Sequence, residues 1–305
     1  FLSWVNSLGI RSGKFVQNLF TTVKVGILLL FILVGIFLAR NPQAIAENWH
    51  NFWHASQVVD GKSIPISGWA LIVAIGSSMV GALFSLDAWN NITFAAGEVK
   101  KPDTTVGRSL VIGVFVVAVL YVLTNIVYLM ALPLYGNTDG LNVFERGMQF
   151  ATNDRIGTAS IEVILGSYAA IVMAVFVVIS TFGCNNGMIL SGARVYYAMA
   201  NDKLFFKGAS VLNKHGVPAR ALTFQAIWSV LLCMSGTYSN LLDFVIATVL
   251  LFYVLTIAGI FIMRLKIPAH ERKPWKRGFA IIPLFYIVTT LFITFILLIY
   301  KPEYT

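Results

Sequence analysis

Long apolar runs alternate with short polar stretches along the whole chain. A bilayer core asks for about 20 apolar residues per helix. On that measure seven spans are predicted, at about 18–39, 67–95, 107–133, 160–199, 219–237, 241–264 and 279–300. The fourth is too long for one crossing. Its last turns, around Arg194 to Ala200, are expected to extend into the cytoplasm. The segments 40–66 and 134–159 read as loops with Pro, Gly, Asn and Asp. In the first of them NWHNFWH reads as a short amphipathic helix, with Trp49 and Trp53 in an external interfacial belt. No soluble domain, low-complexity tract or sequence repeat is visible.

Composition agrees. Of 305 residues only 11% are charged, against about 25% in soluble domains. The mean hydropathy is +0.79. The fold class is therefore all-α integral membrane, with residues 1–305 as one transmembrane domain. The chain begins with Phe1 and shows no secretory signal, so a fragment is expected.

The +9 charge is not a nucleic-acid footprint, because the basic residues sit in short loops. Their distribution gives orientation. Alternate loops hold sixteen of the 22 Lys and Arg, from Arg11 and Lys14 through Lys100, Lys101 and Arg108 to Arg272, Lys273, Lys276 and Arg277. The opposite loops hold five, namely Arg40, Lys62, Arg146, Arg155 and Lys301. The N-terminus of the chain is expected in the cytoplasm and the C-terminus outside, in a cell inner (plasma) membrane.

Nothing in the sequence reads as an enzyme. There is no nucleotide loop, no GxSxG and no HExxH. The GEVKKP stretch reads as a loop with a Pro stop. Cys184 and Cys233 lie in apolar runs and read as small buried packing residues. His50, His54, His215 and His270 read as loop residues without metal-ligand spacing. No cofactor and no metal are expected.

Ionisable groups inside a membrane are costly, so each is a functional hypothesis. Lys24, in TTVKVGILLLFILVGI, either snorkels to the cytoplasmic surface or points its ammonium into the helix cluster. Asp87 follows GWALIVAIGSSMVGALFSL, a glycine-rich run that suits a discontinuous helix. Freed N–H groups of a second half-helix could bind a carboxylate. Alternatively, Asp87 and Asn90 simply cap that second half. Asn125 reads as an amide that glues helices together. In VISTFGCNNGMILSGAR, Gly183, Gly187 and Gly192 allow close helix approach, while Ser180 and Thr181 could take a bond from a cation. Asp243 reads as a helix-start residue.

Several of these stretches resemble one family in order and register. GALFSLDAWNNITFAAGEVKKP is similar to the sixth-helix motif of transporters in the amino acid–polyamine–organocation superfamily, especially the L-type branch and its bacterial relatives. VLTNIVYL resembles the seventh helix, ISTFGCNNGMILSGARVYYAMANDKLF the eighth, and FVQNLFTTVKVGILLLFILVGI the fifth, lysine included. The resemblance implies twelve helices, ten of them in two inverted five-helix repeats, with substrate bound where the first and sixth helices break. The seven spans would then be helices five to eleven, without the first four and the last.

On that resemblance, Phe84 is the aromatic gate over the substrate. Ser85, Leu86 and Asp87 lie in the unwound stretch whose carbonyls meet the substrate amino group, and Trp89 and Asn90 follow. Animal members often carry glycine at the Asp87 position, and bacterial members with DAW or DGW look closer. Lys24 stands where sodium binds in sodium-coupled relatives, with Ser180 or Thr181 as expected partners.

The implied function is a permease for L-amino acids, a small-molecule substrate, working in the lipid bilayer by alternating access as exchanger or proton symporter. No nucleic acid and no accessory subunit are expected. Rival readings are a polyamine transporter of the same superfamily and a seven-helix receptor or sensor. A receptor wants an external N-terminus or a lysine deep in the last span, and 279–300 holds none.

Overall fold

A computed structural model describes residues 1–59, 62–235, 238–268, 270 and 280–300. Eleven α-helices occur in that description: α1 (Leu2–Ser7), α2 (Ile10–Leu38), α3 (Pro42–Asn51), α4 (Gly68–Ser85), α5 (Pro102–Ala131), α6 (Val143–Arg146), α7 (Ile156–Leu165), α8 (Ala169–Asn201), α9 (Ala219–Cys233), α10 (Tyr238–Lys266) and α11 (Ile281–Tyr300). Two short strands, β1 (Ser56–Val59) and β2 (Lys62–Pro65), pair into a two-stranded sheet. Six helical stretches among the described residues are long and apolar enough to cross a membrane, and α9 is a shorter apolar helix. The protein is an all-α, multi-pass membrane protein.

Helix starts follow local chemistry. Pro42 opens α3 behind Asn41, whose Oδ1 accepts the N–H groups of Gln43 at 2.9 Å and Ala44 at 3.3 Å. Pro102 opens α5, so the proline of GEVKKP starts a helix rather than stopping one. The run 160–199 is two helices: α7 begins at Ile156, and a 3-10 turn at Gly166–Tyr168 separates it from α8, with Gly166 at φ +54°. The segment 40–66, read as a loop with a short helix at 48–54, holds α3 and the two strands instead. His50 therefore sits on a helix. Trp49 and Trp53 project outward, 86% and 89% exposed.

The chain divides into two compact units. The first comprises residues 1–54, 58–62 and 88–230. In it α2 packs along α8 and α5. Glycines make these approaches close. A Cβ on Gly183 would stand 2.7 Å from Phe20 Cβ, and one on Gly35 would stand 2.2 Å from Val127 Cγ1. Gly187 and Gly192 meet Gln17 and Gln225. Small residues at a helix interface let backbones approach and dispersion contacts accumulate.

Buried amides lock this unit. Asn6 donates to Asn186 Oδ1 at 2.9 Å, and Asn186 donates to Gly13 O at 3.3 Å and Gln17 Oε1 at 3.0 Å, which ties α1, α2 and α8 together. Asn48 does the same for α3 and the end of α5. Its amide donates to Leu129 O and Leu132 O, both at 2.8 Å, and its Oδ1 accepts Leu134 N–H at 2.6 Å. Asn125 departs from its expected role, because its amide bonds Tyr121 O of its own helix at 2.8 Å.

The second unit comprises residues 55–57, 63–87 and 231–305. Here α4, α10 and α11 pack around Ile246, Leu250, Ile293 and Leu297, with Met79 and Leu83 against them. A Cβ on Gly76 would stand 2.9 Å from Ile296 Cδ1, so α4 and α11 touch through that glycine. α10 begins at Tyr238 and carries no acidic residue in its first turn, so Asp243 lies inside the helix rather than at its expected start. The span edges at 237 and 279 fall outside the described residues, as do Arg272, Lys273, Lys276, Arg277 and Lys301. Of Lys62 only the backbone is described.

Candidate functional site

The apolar run predicted to cross at 67–95 stops being an α-helix at Ser85. Three serine hydroxyls on α4 turn back on its own carbonyls: Ser77 on Ala74 O, Ser78 on Ile75 O and Ser85 on Gly81 O. Such bonds compete with the backbone ladder and weaken a helix. From Asp87 onward the N–H groups reach back three residues, as in Asp87 to Phe84 O at 3.1 Å and Asn91 to Ala88 O at 3.1 Å. Ala88 takes a left-handed φ of +62°. Leu86 to Asn90 are turns, and Asn91–Glu98 is a 3-10 stretch packed on α8 and α5. The helix is therefore broken, but the expected second half is 3-10 rather than α. Asn90 makes no side-chain cap. Phe84, Ser85, Leu86 and Trp89 are exposed, and Asp87 and Asn90 are half-buried.

Asp87 is not a cap either. Tyr253 on α10 donates its hydroxyl to Asp87 Oδ1 at 2.6 Å. Sequence reasoning passed over Tyr253 because it sits singly in an apolar run. A carboxylate that accepts one hydroxyl proton keeps lone pairs for a further donor.

Lys24, half-buried on α2, donates from Nζ to Cys184 Sγ on α8 at 3.0 Å. Its expected partners lie one turn earlier on α8. Thr181 turns its hydroxyl back on Val177 O at 2.8 Å and Val178 O at 3.1 Å, and Ser180 is half-buried. Cys184 is exposed rather than a buried packing residue, as is Cys233. Among the described residues no three His, Cys, Asp or Glu cluster to hold a metal.

The profile of one family, described as amino acid permease, matches residues 1–304. The chain belongs to the amino acid permease family. This permease chain is similar to the b(0,+)-type amino acid transporter 1 of Mus musculus, at 28% identity over 100% of the chain and 56% of that protein. It is similar to the serine/threonine exchanger SteT of Bacillus subtilis, at 22% identity over 89% of the chain and 56% of that protein. The large neutral amino acids transporter small subunit 2 of Oryctolagus cuniculus is 26% identical over 97% of the chain and 50% of that protein. The chain thus spans about half the length of the curated relatives it matches. The relatives are transporters rather than enzymes, in line with the lack of enzyme motifs in the sequence.

Proposed function

We propose that the protein containing this chain is a secondary transporter of L-amino acids in the cytoplasmic membrane, with the N-terminus of the chain on the cytoplasmic side. The observation that carries this reading is the broken apolar helix at Leu86–Asn90 with Asp87 at its end. Backbone groups freed at membrane depth are tolerated only beside protein or a water-filled cavity, and there they meet polar substrate groups. Phe84, Ser85, Leu86, Asp87, Trp89 and Asn90 are the substrate-binding residues on this reading. Lys24 supplies a fixed positive charge in place of a bound cation, with Ser180 and Thr181 beside it on α8, so uptake is independent of sodium. Substrate moves by alternating access.

Exchange is the preferred mode. A relative named as a serine/threonine exchanger supports it, and a lysine that keeps its charge through the cycle suits obligatory exchange. The test is reconstitution of the full gene product in liposomes, followed by uptake of labelled alanine, serine, leucine and arginine. Uptake that requires unlabelled amino acid inside establishes exchange. Uptake into empty vesicles driven by an inward proton gradient, and lost in Lys24→Ala, would instead establish proton symport. Folded protein that moves none of the four under any condition would remove the amino-acid reading.

A further inference from the structure

The position of Cys184 is set by the seam between α2 and α8. Gly183 faces Phe20, with 2.7 Å between a Cβ placed there and Phe20 Cβ. Gly187 faces Gln17, with 3.2 Å to Gln17 Nε2. Asn186, fully buried, bonds Gly13 O and Gln17 Oε1 across the same seam. Cys184 lies on the same helix, so these contacts hold its backbone in place while the thiol itself is exposed, and the thiol meets Lys24 Nζ at 3.0 Å across 160 residues of sequence. The lysine stem, by contrast, has many rotamers. Thr181 spends its hydroxyl proton on its own helix.

We propose that Cys184 is the positioning residue for Lys24. The thiol sulfur accepts one of the three ammonium protons and pins the charge to one point of α8. The two remaining N–H groups are then aimed where the transport cycle uses them. A thiol is a weak acceptor, so the pin holds position without competing strongly for the charge. The inference rests on the reading of Lys24 as the stand-in for a bound cation.

The pair predicts a charge-selective thiol chemistry. A methanethiosulfonate reagent reacts by attack of the Cys184 thiolate on its sulfenyl sulfur. The new S–S bond forms, the S–SO2 bond breaks, methanesulfinate leaves, and the thiol proton goes to water. An ammonium this close draws an anionic reagent and repels a cationic one.

The experiment uses the full gene product carrying Cys233→Ser, with modification read on the peptide that contains Cys184. Rates are compared for the anionic sulfonatoethyl and the cationic trimethylammonioethyl reagents, with Lys24 present and in Lys24→Met. The anionic-to-cationic rate ratio is expected to be about fivefold or more higher with Lys24 present. An unchanged ratio overturns the pairing. Exchange kinetics supply the second arm. Cys184→Ala is expected to lower kcat about fivefold, the weight of one ordinary hydrogen bond, with KM nearly constant. Cys184→Ser is expected to restore most of it, since a hydroxyl can replace the acceptor. Wild-type kinetics in Cys184→Ala overturn the positioning role. Charge-selective labelling in a protein that moves no amino acid overturns the transport reading and the role in a cycle, while the tether itself stands.

Discussion

Tyr253 donates a 2.6 Å hydrogen bond to Asp87, joining the middle of α10 to the point where α4 ends. A neutral donor thus holds a carboxylate at the end of an apolar helix. The bond ties the turn after α4 to α10.

This geometry makes Tyr253 and Asp87 one hydrogen-bonded pair, at the substrate site in the proposed function. A hydrogen bond to a charged group is worth about 1.5–3 kcal/mol, and 1.4 kcal/mol is tenfold in an equilibrium constant. Tyr253→Phe and Asp87→Asn are each expected to lower kcat/KM for substrate by about tenfold or more. The double variant is expected to be little worse than the poorer single one, because residues in one network couple. A double-mutant cycle on initial exchange rates checks this. Additive losses would mean that the two residues act separately.

The α2–α8 seam gives a stability prediction. Gly183→Ala places a Cβ at 2.7 Å from Phe20 Cβ, both on helical backbone. Overpacking of this kind costs about 1–3 kcal/mol. Gly208, in the 3-10 stretch Lys207–Ser210, has nothing within 4 Å of such a Cβ. Thermal unfolding of the purified protein should show a clear drop for Gly183→Ala and almost none for Gly208→Ala.

Sequence alone revealed the apolar helices because hydrocarbon thickness leaves so few alternatives. It also revealed the break near Asp87, since a carboxylate in an apolar run needs a reason. What it missed depends on partners far along the chain. Cys184 read as packing because a single cysteine in an apolar run carries no signal of a lysine 160 residues away. Tyr253 was invisible for the same reason. Asn48 was passed over at the start of the short amphipathic helix read for NWHNFWH, although it closes three backbone bonds at the end of α5. The 3-10 form of Asn91–Glu98 was missed because hydrophobic periodicity over eight residues separates poorly the two helix types.

Asn48 itself is testable. It is 5% exposed, and its side chain serves Leu129 O, Leu132 O and Leu134 N. A buried group left without its partner costs about 1–3 kcal/mol. Asn48→Ala strips three at once and is expected to lose about 3 kcal/mol or more. Asn41→Ala removes a helix cap and should cost about 1 kcal/mol. Unfolding curves of the two variants should therefore rank Asn48→Ala well below Asn41→Ala.

The break itself can be probed at Ala88. Its φ of +62° lies in the left-handed region, where a Cβ meets the following carbonyl oxygen at a cost of about 1–2 kcal/mol. Glycine has no such penalty. Ala88→Gly is expected to keep transport and stability. Ala88→Val puts a β-branched side chain in a region it scarcely occupies. The chain must then strain or leave the left-handed well, and the turns that end α4 shift with it. Substrate exchange should fall at least tenfold in Ala88→Val, in protein that still elutes as a folded species. Equal exchange rates in Ala88→Val and Ala88→Gly would mean that the break does not depend on this φ, and that the position of Asp87 is held from α10 alone.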